Sequence, residues 1–257
     1  MKKYDDISVK VEDYVATIEI QRPPNNFFDF ILIGQIADAF EELDESNDCR
    51  SIVLCSQGKH FCAGANFGGE RILQKNIDPI SKLYEEAVRL FRNKKPVIAA
   101  IQGGAIGGGL GVALVADFRV ACPESRFSAN FSRLGFHQGF GTSVTLPRVV
   151  GYQNAALMLL TGRRFKGEEA FAMGLADYLV PLEELRNKSL TLAKEIASAG
   201  PLAVEAIRFT IREGLADQVE KVISWELAEQ KRLQSTEDFK EGIAASSERR
   251  EPLFKKE

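Results

Sequence analysis

Residue types that build metal centres and catalytic triads are scarce in this 257-residue chain. It has two histidines, His60 and His137, and four cysteines without paired metal-ligand spacing. A histidine-rich metal site is therefore excluded, and a Ser-His-Asp arrangement would have to use one of the two histidines. Neither histidine lies in a nucleophile-elbow sequence. The sequence predicts no metal site and reduced, mostly buried thiols, since a chain of this size does not need disulfides.

Long apolar runs and an excess of basic charge are also missing. The stretch MKKYDDISVKVEDY has no apolar signal core, and no uninterrupted apolar run approaches membrane-spanning length. A formal net charge of -3 gives no reason to expect a nucleic-acid partner. The sequence predicts a cytoplasmic globular protein with neither a membrane nor a nucleic acid as partner.

Glycine, by contrast, is concentrated in one stretch, Ile98 to Asp117, which reads IAAIQGGAIGGGLGVALVAD. Apolar residues suited to a buried strand precede the glycines, and small apolar residues suited to a closely packed helix follow them. Unpaired N–H groups at a helix start, with no Cβ atoms in the way, suit an anion or a carbonyl oxygen that becomes one. A glycine-rich packing turn without a ligand is the alternative, because a lone glycine motif is a weak signal.

The rest of the chain has strand and helix patterns in its first part and mostly helical patterns after Gly151. Ser8 to Ile20 has the alternation of one half-buried strand, Ser51 to Cys55 is typical of an interior strand, and Ile80 to Arg92 indicates a helix. The glycines and aromatic residues from Phe127 to Pro147 predict a shaped loop region.

Two separate strand-to-turn elements, KHFCAGANF over Lys59–Phe67 and AIGGGLGVALVAD over Ala105–Asp117, resemble the enoyl-CoA hydratase/isomerase (crotonase) superfamily. The likeness covers essentially the whole chain. It implies an α/β fold, with a crotonase-like spiral of β-β-α turns over residues 1–198 and a C-terminal helical oligomerisation region over residues 199–257. It also implies a homotrimer or a dimer of trimers, and an acyl-CoA substrate. Coenzyme A would enter as part of the thioester, and no permanently bound cofactor is expected.

The resemblance implies a site as well as a fold. In the family, two backbone N–H groups bind the thioester carbonyl and stabilise its enolate, and the motifs match these donors to Ala65 and Gly108. Further contacts to coenzyme A are implied in the first turn, at Ala63, Asn66 and Phe67. Arg22, in the turn after the first strand, and Lys255, in the C-terminal tail, are implied as well. For Lys255 an ordinary solvated tail charge is the alternative.

The chain departs from the hydratase pattern where the chemistry needs side chains. Hydratases of this family use two glutamates, at the positions that match Gly111 and Phe131, and some relatives use a third acid near Phe140. Because a general acid or base is worth about 10²–10⁴ in rate, efficient hydration is discounted. Isomerisation, decarboxylation and C–C cleavage also use an enolate and stay open. The alternative is a non-catalytic acyl-CoA-binding or assembly protein.

His137 is the candidate substitute for the missing acid or base. It lies in the loop that faces the acyl group in relatives, and imidazole exchanges protons near neutral pH. The alternative is a hydrogen-bonded structural histidine. Phenylalanines are expected to line an apolar acyl pocket that favours a hydrophobic or aromatic acyl chain, unless they belong to the core: Phe61, Phe67, Phe127, Phe131, Phe136 and Phe140.

Overall fold

A computed structural model describes residues 2–65 and 78–257. Its strands, in chain order, are β1 (Ile7–Glu12), β2 (Val15–Ile20), β3 (Ser51–Ser56), β4 (Val97–Ile101), β5 (Gly104–Ile106), β6 (Phe118–Ala121), β7 (Arg126–Ser128), β8 (Phe165–Lys166) and β9 (Tyr178–Leu179). Its helices are α1 (Phe30–Asp44), α2 (Pro79–Phe91), α3 (Gly108–Val115), α4 (Thr142–Thr161), α5 (Gly167–Ala172), α6 (Leu185–Ala197), α7 (Pro201–Ile211), α8 (Leu215–Leu233) and α9 (Glu237–Glu248).

The strands form two sheets, and the glycine-rich stretch supplies one strand to each, β4 and β5. The larger sheet has the order β1-β2-β3-β4-β6-β9, in which only β1 and β2 pair antiparallel, and the smaller sheet has the order β5-β7-β8. Every residue of β3 and β4 is buried, as expected for central parallel strands covered on both faces. The predicted α/β class and the interior strand over Ser51 to Cys55 are confirmed.

The single strand predicted over Ser8 to Ile20 is wrong, because the chain forms the β1–β2 hairpin there. Asp13 and Tyr14 make the turn with φ of 50° and 64°, the left-handed conformation that two-residue hairpin turns use. The two-residue turn shifts the apolar alternation from Ile7, Val9 and Val11 in β1 to Ala16, Ile18 and Ile20 in β2. Asp-Tyr lacks the glycine that usually marks such a turn, so turn chemistry alone does not reveal the reversal.

The loop region predicted over Phe127 to Pro147 is shorter than expected. Strand β7 covers its beginning, a 3-10 turn covers Ser132–Leu134, and α4 has already started at Thr142. Helix α4 includes Pro147 and is interrupted at Gly151, where φ is 74°. What remains irregular is residues 129–131, before the 3-10 turn, and a short segment from Gly135 to Gly141, between the 3-10 turn and α4.

The C-terminal helices differ in how much they pack against the rest of the chain. Helix α7 buries only Arg208, whereas α8 contacts α2 and α4, and α9 contacts the 3-10 turn. Among the described helices, none has the length and apolar character needed to cross a membrane.

Candidate active site

The two turns singled out in the sequence are joined by backbone hydrogen bonds. The N–H of Cys62 donates to the carbonyl of Gly104 at 2.9 Å, and the N–H of Ile106 donates to the carbonyl of Cys62 at 3.0 Å. The first turn is tied on its other side by the N–H of Phe28, which donates to Gly64 at 3.0 Å. These bonds bring Ala65 and Gly108 to the wall of one cavity, although the two residues are far apart in sequence.

The approach of the two turns depends on the absence of a side chain at Gly109. A Cβ atom there would lie 2.1 Å from the carbonyl oxygen of Cys62, which is backbone and cannot move without separating the turns. Burial raises the pKa of the Cys62 thiol to about 12, so this thiol is neutral near pH 7 and is not an activated nucleophile.

The N–H groups of Ala65 and Gly108 are unused within the described chain. Neither donates a hydrogen bond to any residue in 2–65 or 78–257. Gly108 is the first residue of α3, where helical geometry leaves N–H groups unpaired and where the helix dipole favours negative charge. This arrangement can bind a carbonyl oxygen on which negative charge develops.

The cavity beside these donors has a volume of about 100 Å³ and a mainly apolar wall. Its apolar side chains include Phe28, Ile80, Leu83, Ile106, Phe131, Leu134, Phe136 and Phe140. Its polar side chains are those of Tyr84, Asn130, Gln230 and Gln234. In the described part of the wall there is no carboxylate, imidazole or amine, so these side chains supply no group that exchanges protons readily near pH 7.

The predicted aromatic pocket is partly borne out. Phe131, Phe136 and Phe140 line the cavity, whereas Phe61 and Phe127 are fully buried outside its wall. The rings of Phe131 and Phe136 meet edge to face with centroids 5.7 Å apart. Phe67 lies outside the described residues.

Gly111, expected from the sequence at the position of a hydratase glutamate, has the space for a side chain filled by Phe140. A Cβ atom at Gly111 would lie 2.7 Å from both Cβ and Cδ1 of Phe140. Phe140 has φ of 62°, and a residue other than glycine in that region costs on the order of 1–3 kcal/mol. The surrounding contacts therefore have to hold Phe140 in place.

Glu226 and Gln230 are two contacts of this kind, and they were not singled out from the sequence. Glu226 is fully buried and accepts hydrogen bonds from the N–H groups of Gly141 at 2.8 Å and Ser143 at 3.0 Å. It thereby caps α4 directly after Phe140, and burial raises the pKa of its carboxyl above the usual range. A signal was available, since the buried face of α8 continues from Val219 and Ile223 into both polar residues.

His137 lies outside the described wall of the cavity. Its Nδ1 is 2.8 Å from the carbonyl oxygen of Gln138, and its own carbonyl accepts a hydrogen bond from Nε2 of Gln230 at 2.9 Å. A role for His137 in proton transfer stays a prediction. His60 accepts a hydrogen bond at Nδ1 from the N–H of Gly104 at 2.9 Å, a contact that ties the end of one turn to the start of β5.

The residues implied as contacts to coenzyme A differ in burial and in their bonding partners. Arg22 is held between Asp6 at 2.6 Å and Asp29 at 2.9 Å, so its charge is already paired inside the chain. Ala63 lines the cavity, while Lys255 is in the exposed tail and its N–H donates to Asp238 at 2.7 Å. These roles stay predictions. The remaining two candidates, Asn66 and Phe67, lie outside the described residues.

No group of three or more His, Cys, Asp or Glu side chains that could hold a metal ion occurs within residues 2–65 and 78–257.

Comparisons with known proteins match the whole chain to one family. The family model for enoyl-CoA hydratase/isomerase matches residues 10–257. A crotonyl-CoA hydratase from Syntrophomonas wolfei is 31% identical over 98% of this chain and 98% of its own length. The human mitochondrial Delta(3,5)-Delta(2,4)-dienoyl-CoA isomerase is 27% identical over 96% of this chain and 81% of its own length.

The fold is shared with solved structures of the same family. The crystal structure of an enoyl-CoA hydratase/isomerase from Pseudoalteromonas atlantica superposes with a TM-score of 0.88 and 26% sequence identity. The superposition covers 98% of this chain and all of the other. The crotonase-like spiral predicted from the two glycine turns is confirmed.

Proposed function

The chain belongs to the enoyl-CoA hydratase/isomerase family, and from that membership we propose that this enzyme binds the thioester carbonyl of an acyl-CoA on the N–H groups of Ala65 and Gly108. Charge that develops on the oxygen would be stabilised by these two donors and by the positive end of α3. The observation that carries the proposal is the joining of the two turns at one cavity, with both N–H groups unpaired within the described chain.

The reaction is an enolate reaction other than efficient hydration. Hydration needs a water to be activated and a proton to be delivered, and Gly111 and Phe131 supply no group for either task. Decarboxylation needs no general base for its first step, because the electrons of the broken C–C bond enter the enolate and no proton has to be removed first. The apolar wall also disfavours a bound carboxylate relative to neutral carbon dioxide. Malonyl-type thioesters with a short apolar substituent are therefore the first substrates to test.

Isomerisation and C–C cleavage are the next candidates for the same site. Both use the enolate, and both also need a proton to be moved or a nucleophile to be activated. His137 is the proposed carrier if one of these reactions is found.

A non-catalytic acyl-CoA-binding protein is the second candidate function. It is favoured by one observation, the absence of a carboxylate, imidazole or amine from the described wall of the cavity.

Assembly into a homotrimer or a dimer of trimers is part of the proposal. It is supported by large apolar side chains exposed on the C-terminal helices, since contiguous exposed apolar surface marks interfaces. Leu202 and Phe209 of α7 are 81% and 73% exposed, and Trp225 of α8 is 65% exposed. A mass of 28.4 kDa in solution, that of one chain, would contradict this assembly.

Binding of the carbonyl can be tested without knowing the reaction. Butyryl-CoA labelled with carbon-13 at the thioester carbonyl should show a lower carbonyl stretching frequency when bound, because two hydrogen bonds polarise the C=O group. A carbonyl that binds with its frequency unchanged from that in water would overturn the assignment of Ala65 and Gly108.

Turnover then separates the two candidate functions. Wild type and His137→Ala would be assayed with malonyl-, enoyl-, dienoyl- and β-diketone-type thioesters. Decarboxylation that survives His137→Ala supports the favoured reaction, and isomerisation or cleavage lost in His137→Ala assigns the proton transfer to that residue. Tight binding without turnover of any of these thioesters supports the non-catalytic candidate.

A further inference from the structure

Phe140 forms the end of the cavity that lies next to α3. Its side chain is 1% exposed, and its ring packs against that of Phe28 with centroids 5.6 Å apart. It occupies the space into which any side chain at Gly111 would project, with contacts of 2.7 Å to the position of that Cβ. Removing the ring would therefore extend the cavity toward α3.

A clasp between α2 and α8 lies against the backbone next to Phe140. The hydroxyl of Tyr84 donates to Oε1 of Gln230 at 2.7 Å and approaches the backbone at Gly139, the residue before Phe140. Nε2 of Gln230 donates to the carbonyl of His137 at 2.9 Å, which fixes the orientation of the amide. A Cβ atom at Gly139 would lie 1.9 Å from the Tyr84 hydroxyl, so the clasp reaches Phe140 only because residue 139 is glycine.

The volume in front of Phe140 limits what the site can hold. The cavity measures about 100 Å³. For scale, an apolar protein cavity of about 150 Å³ accommodates benzene. By that scale about four acyl carbons fill the described cavity, and an octanoyl or aromatic acyl group would have to displace part of its wall.

We propose that Phe140 is a specificity-determining residue that restricts the acyl group to a short chain, and that Tyr84 and Gln230 are positioning residues that hold it there. The proposal rests on the proposed function, because it assumes that the acyl group of a thioester enters this cavity. It names the substrate class as short-chain acyl-CoA thioesters.

Calorimetric binding of butyryl-CoA and octanoyl-CoA tests the restriction directly. Each buried methylene group is worth roughly fourfold in affinity. Wild type should bind butyryl-CoA at least about tenfold more tightly than octanoyl-CoA, and Phe140→Ala should shift this ratio by about tenfold or more toward octanoyl-CoA. Equal binding of the two esters by wild type, or an unchanged ratio in Phe140→Ala, would overturn the proposal.

A pair of compensating substitutions distinguishes loss of the cavity from misfolding of a single variant. Gly111→Ala should lose butyryl-CoA binding because its Cβ meets Phe140, and Gly111→Ala combined with Phe140→Ala should regain it. Recovery in the double variant supports direct contact between the two positions. Tight binding by Gly111→Ala alone, or no recovery in a double variant that is folded by circular dichroism, contradicts that contact.

The positioning role is tested with Tyr84→Phe, which removes one hydroxyl group and keeps the ring. Loss of the clasp should shift the butyryl/octanoyl ratio by roughly threefold in the direction of Phe140→Ala. Tyr152→Phe is the matched control, because Tyr152 is 75% exposed. A purely structural role for Tyr84 would lower stability and leave the ratio unchanged, and that result would remove Tyr84 from the proposal.

Failure of this inference and failure of the proposed function give different results. If the site does not bind thioesters, neither ester binds with a shifted carbonyl frequency. If only the length restriction is wrong, both esters bind with the shifted frequency and with the same affinity.

Discussion

The cavity has two halves that are built in different ways. The thioester half consists of the Cys62–Ala65 and Gly107–Gly109 turns, which are locked by backbone hydrogen bonds and by a close approach at Gly109. The acyl half consists of the Phe131–Phe140 segment with α2 and α8, and its wall is made of side chains. In the proposed function the first half binds the thioester carbonyl through backbone N–H groups, whereas the side chains of the second half set which reaction and which acyl group are possible.

The two halves depend on side chains to different degrees. The N–H groups of Ala65 and Gly108 belong to the backbone, so they persist through side-chain changes that leave the two turns in place. The two positions that the resemblance matches to hydratase glutamates, Gly111 and Phe131, carry no acid, and at Gly111 the space for a side chain is filled by Phe140. The two halves should therefore respond differently to mutation.

The largest expected effect comes from placing acids in the acyl half. The triple variant Gly111→Glu, Phe131→Glu and Phe140→Gly restores the two carboxylates and frees the space that the new side chain at position 111 needs. Because the carbonyl donors are already present, hydration of crotonyl-CoA should rise by about 10²–10⁴ over wild type, measured as loss of enoyl absorbance.

A variant of the same shape without carboxylates is the control for this gain. Gly111→Gln, Phe131→Gln and Phe140→Gly should stay at the wild-type level. If the glutamate variant is folded and binds crotonyl-CoA but does not hydrate it, the thioester half is not arranged for catalysis.

The next effect comes from the thioester half. In Gly109→Ala the new Cβ meets the Cys62 carbonyl, so the turns have to separate and the Gly108 donor moves away from Ala65. Loss of one such donor costs about 10²–10³ in rate, measured as kcat/KM on the substrate that the panel identifies. Gly200→Ala is the control, since its Cβ would lie 3.9 Å from the nearest neighbour, Ala203. Unchanged kcat/KM in Gly109→Ala would mean that the close approach of the turns is not needed.

The smallest of the three effects concerns the support behind the acyl half. Glu226→Ala leaves the N–H groups of Gly141 and Ser143 without their acceptor. Because Ser143 is only half-buried and water can reach its N–H, the free energy of unfolding should fall by about 1–3 kcal/mol in total. Urea unfolding measures this loss. A loss below about 0.5 kcal/mol would show that water replaces the carboxylate.

The pH dependence of the free energy of unfolding shows how much the ionised form of Glu226 costs, apart from its hydrogen bonds. Burial raises the pKa of Glu226 in the folded protein above its usual 4.5, so folding favours the protonated carboxyl. The stability from this group is fully present below pH 4.5 and is lost as the pH rises through the raised pKa. Glu226→Gln should lack this decline, and an identical pH dependence in both proteins would contradict it.

Elements that depend on neighbouring residues could be predicted from the sequence. The strand, glycine turn and helix over Ile98 to Asp117 follow from neighbouring residues, and α3 starts at Gly108 within that turn. The β1–β2 hairpin was missed because Asp13 and Tyr14 do not look like a turn. The Tyr84–Gln230 clasp could not be predicted from the sequence, because its partners are 146 residues apart and meet only when α2 packs on α8.

The absence of carboxylates at Gly111, Phe131 and Phe140 is a property of the sequence alone, because a side chain that is not encoded cannot be supplied by folding. The glycines that leave backbone N–H groups bare are determined in the same way. Tertiary structure decided that Ala65 and Gly108 line one cavity, that Phe140 fills the space at Gly111, and that about 100 Å³ is left for an acyl group. These features depend on distances between residues that are remote along the chain, and such distances are set by packing of the whole core.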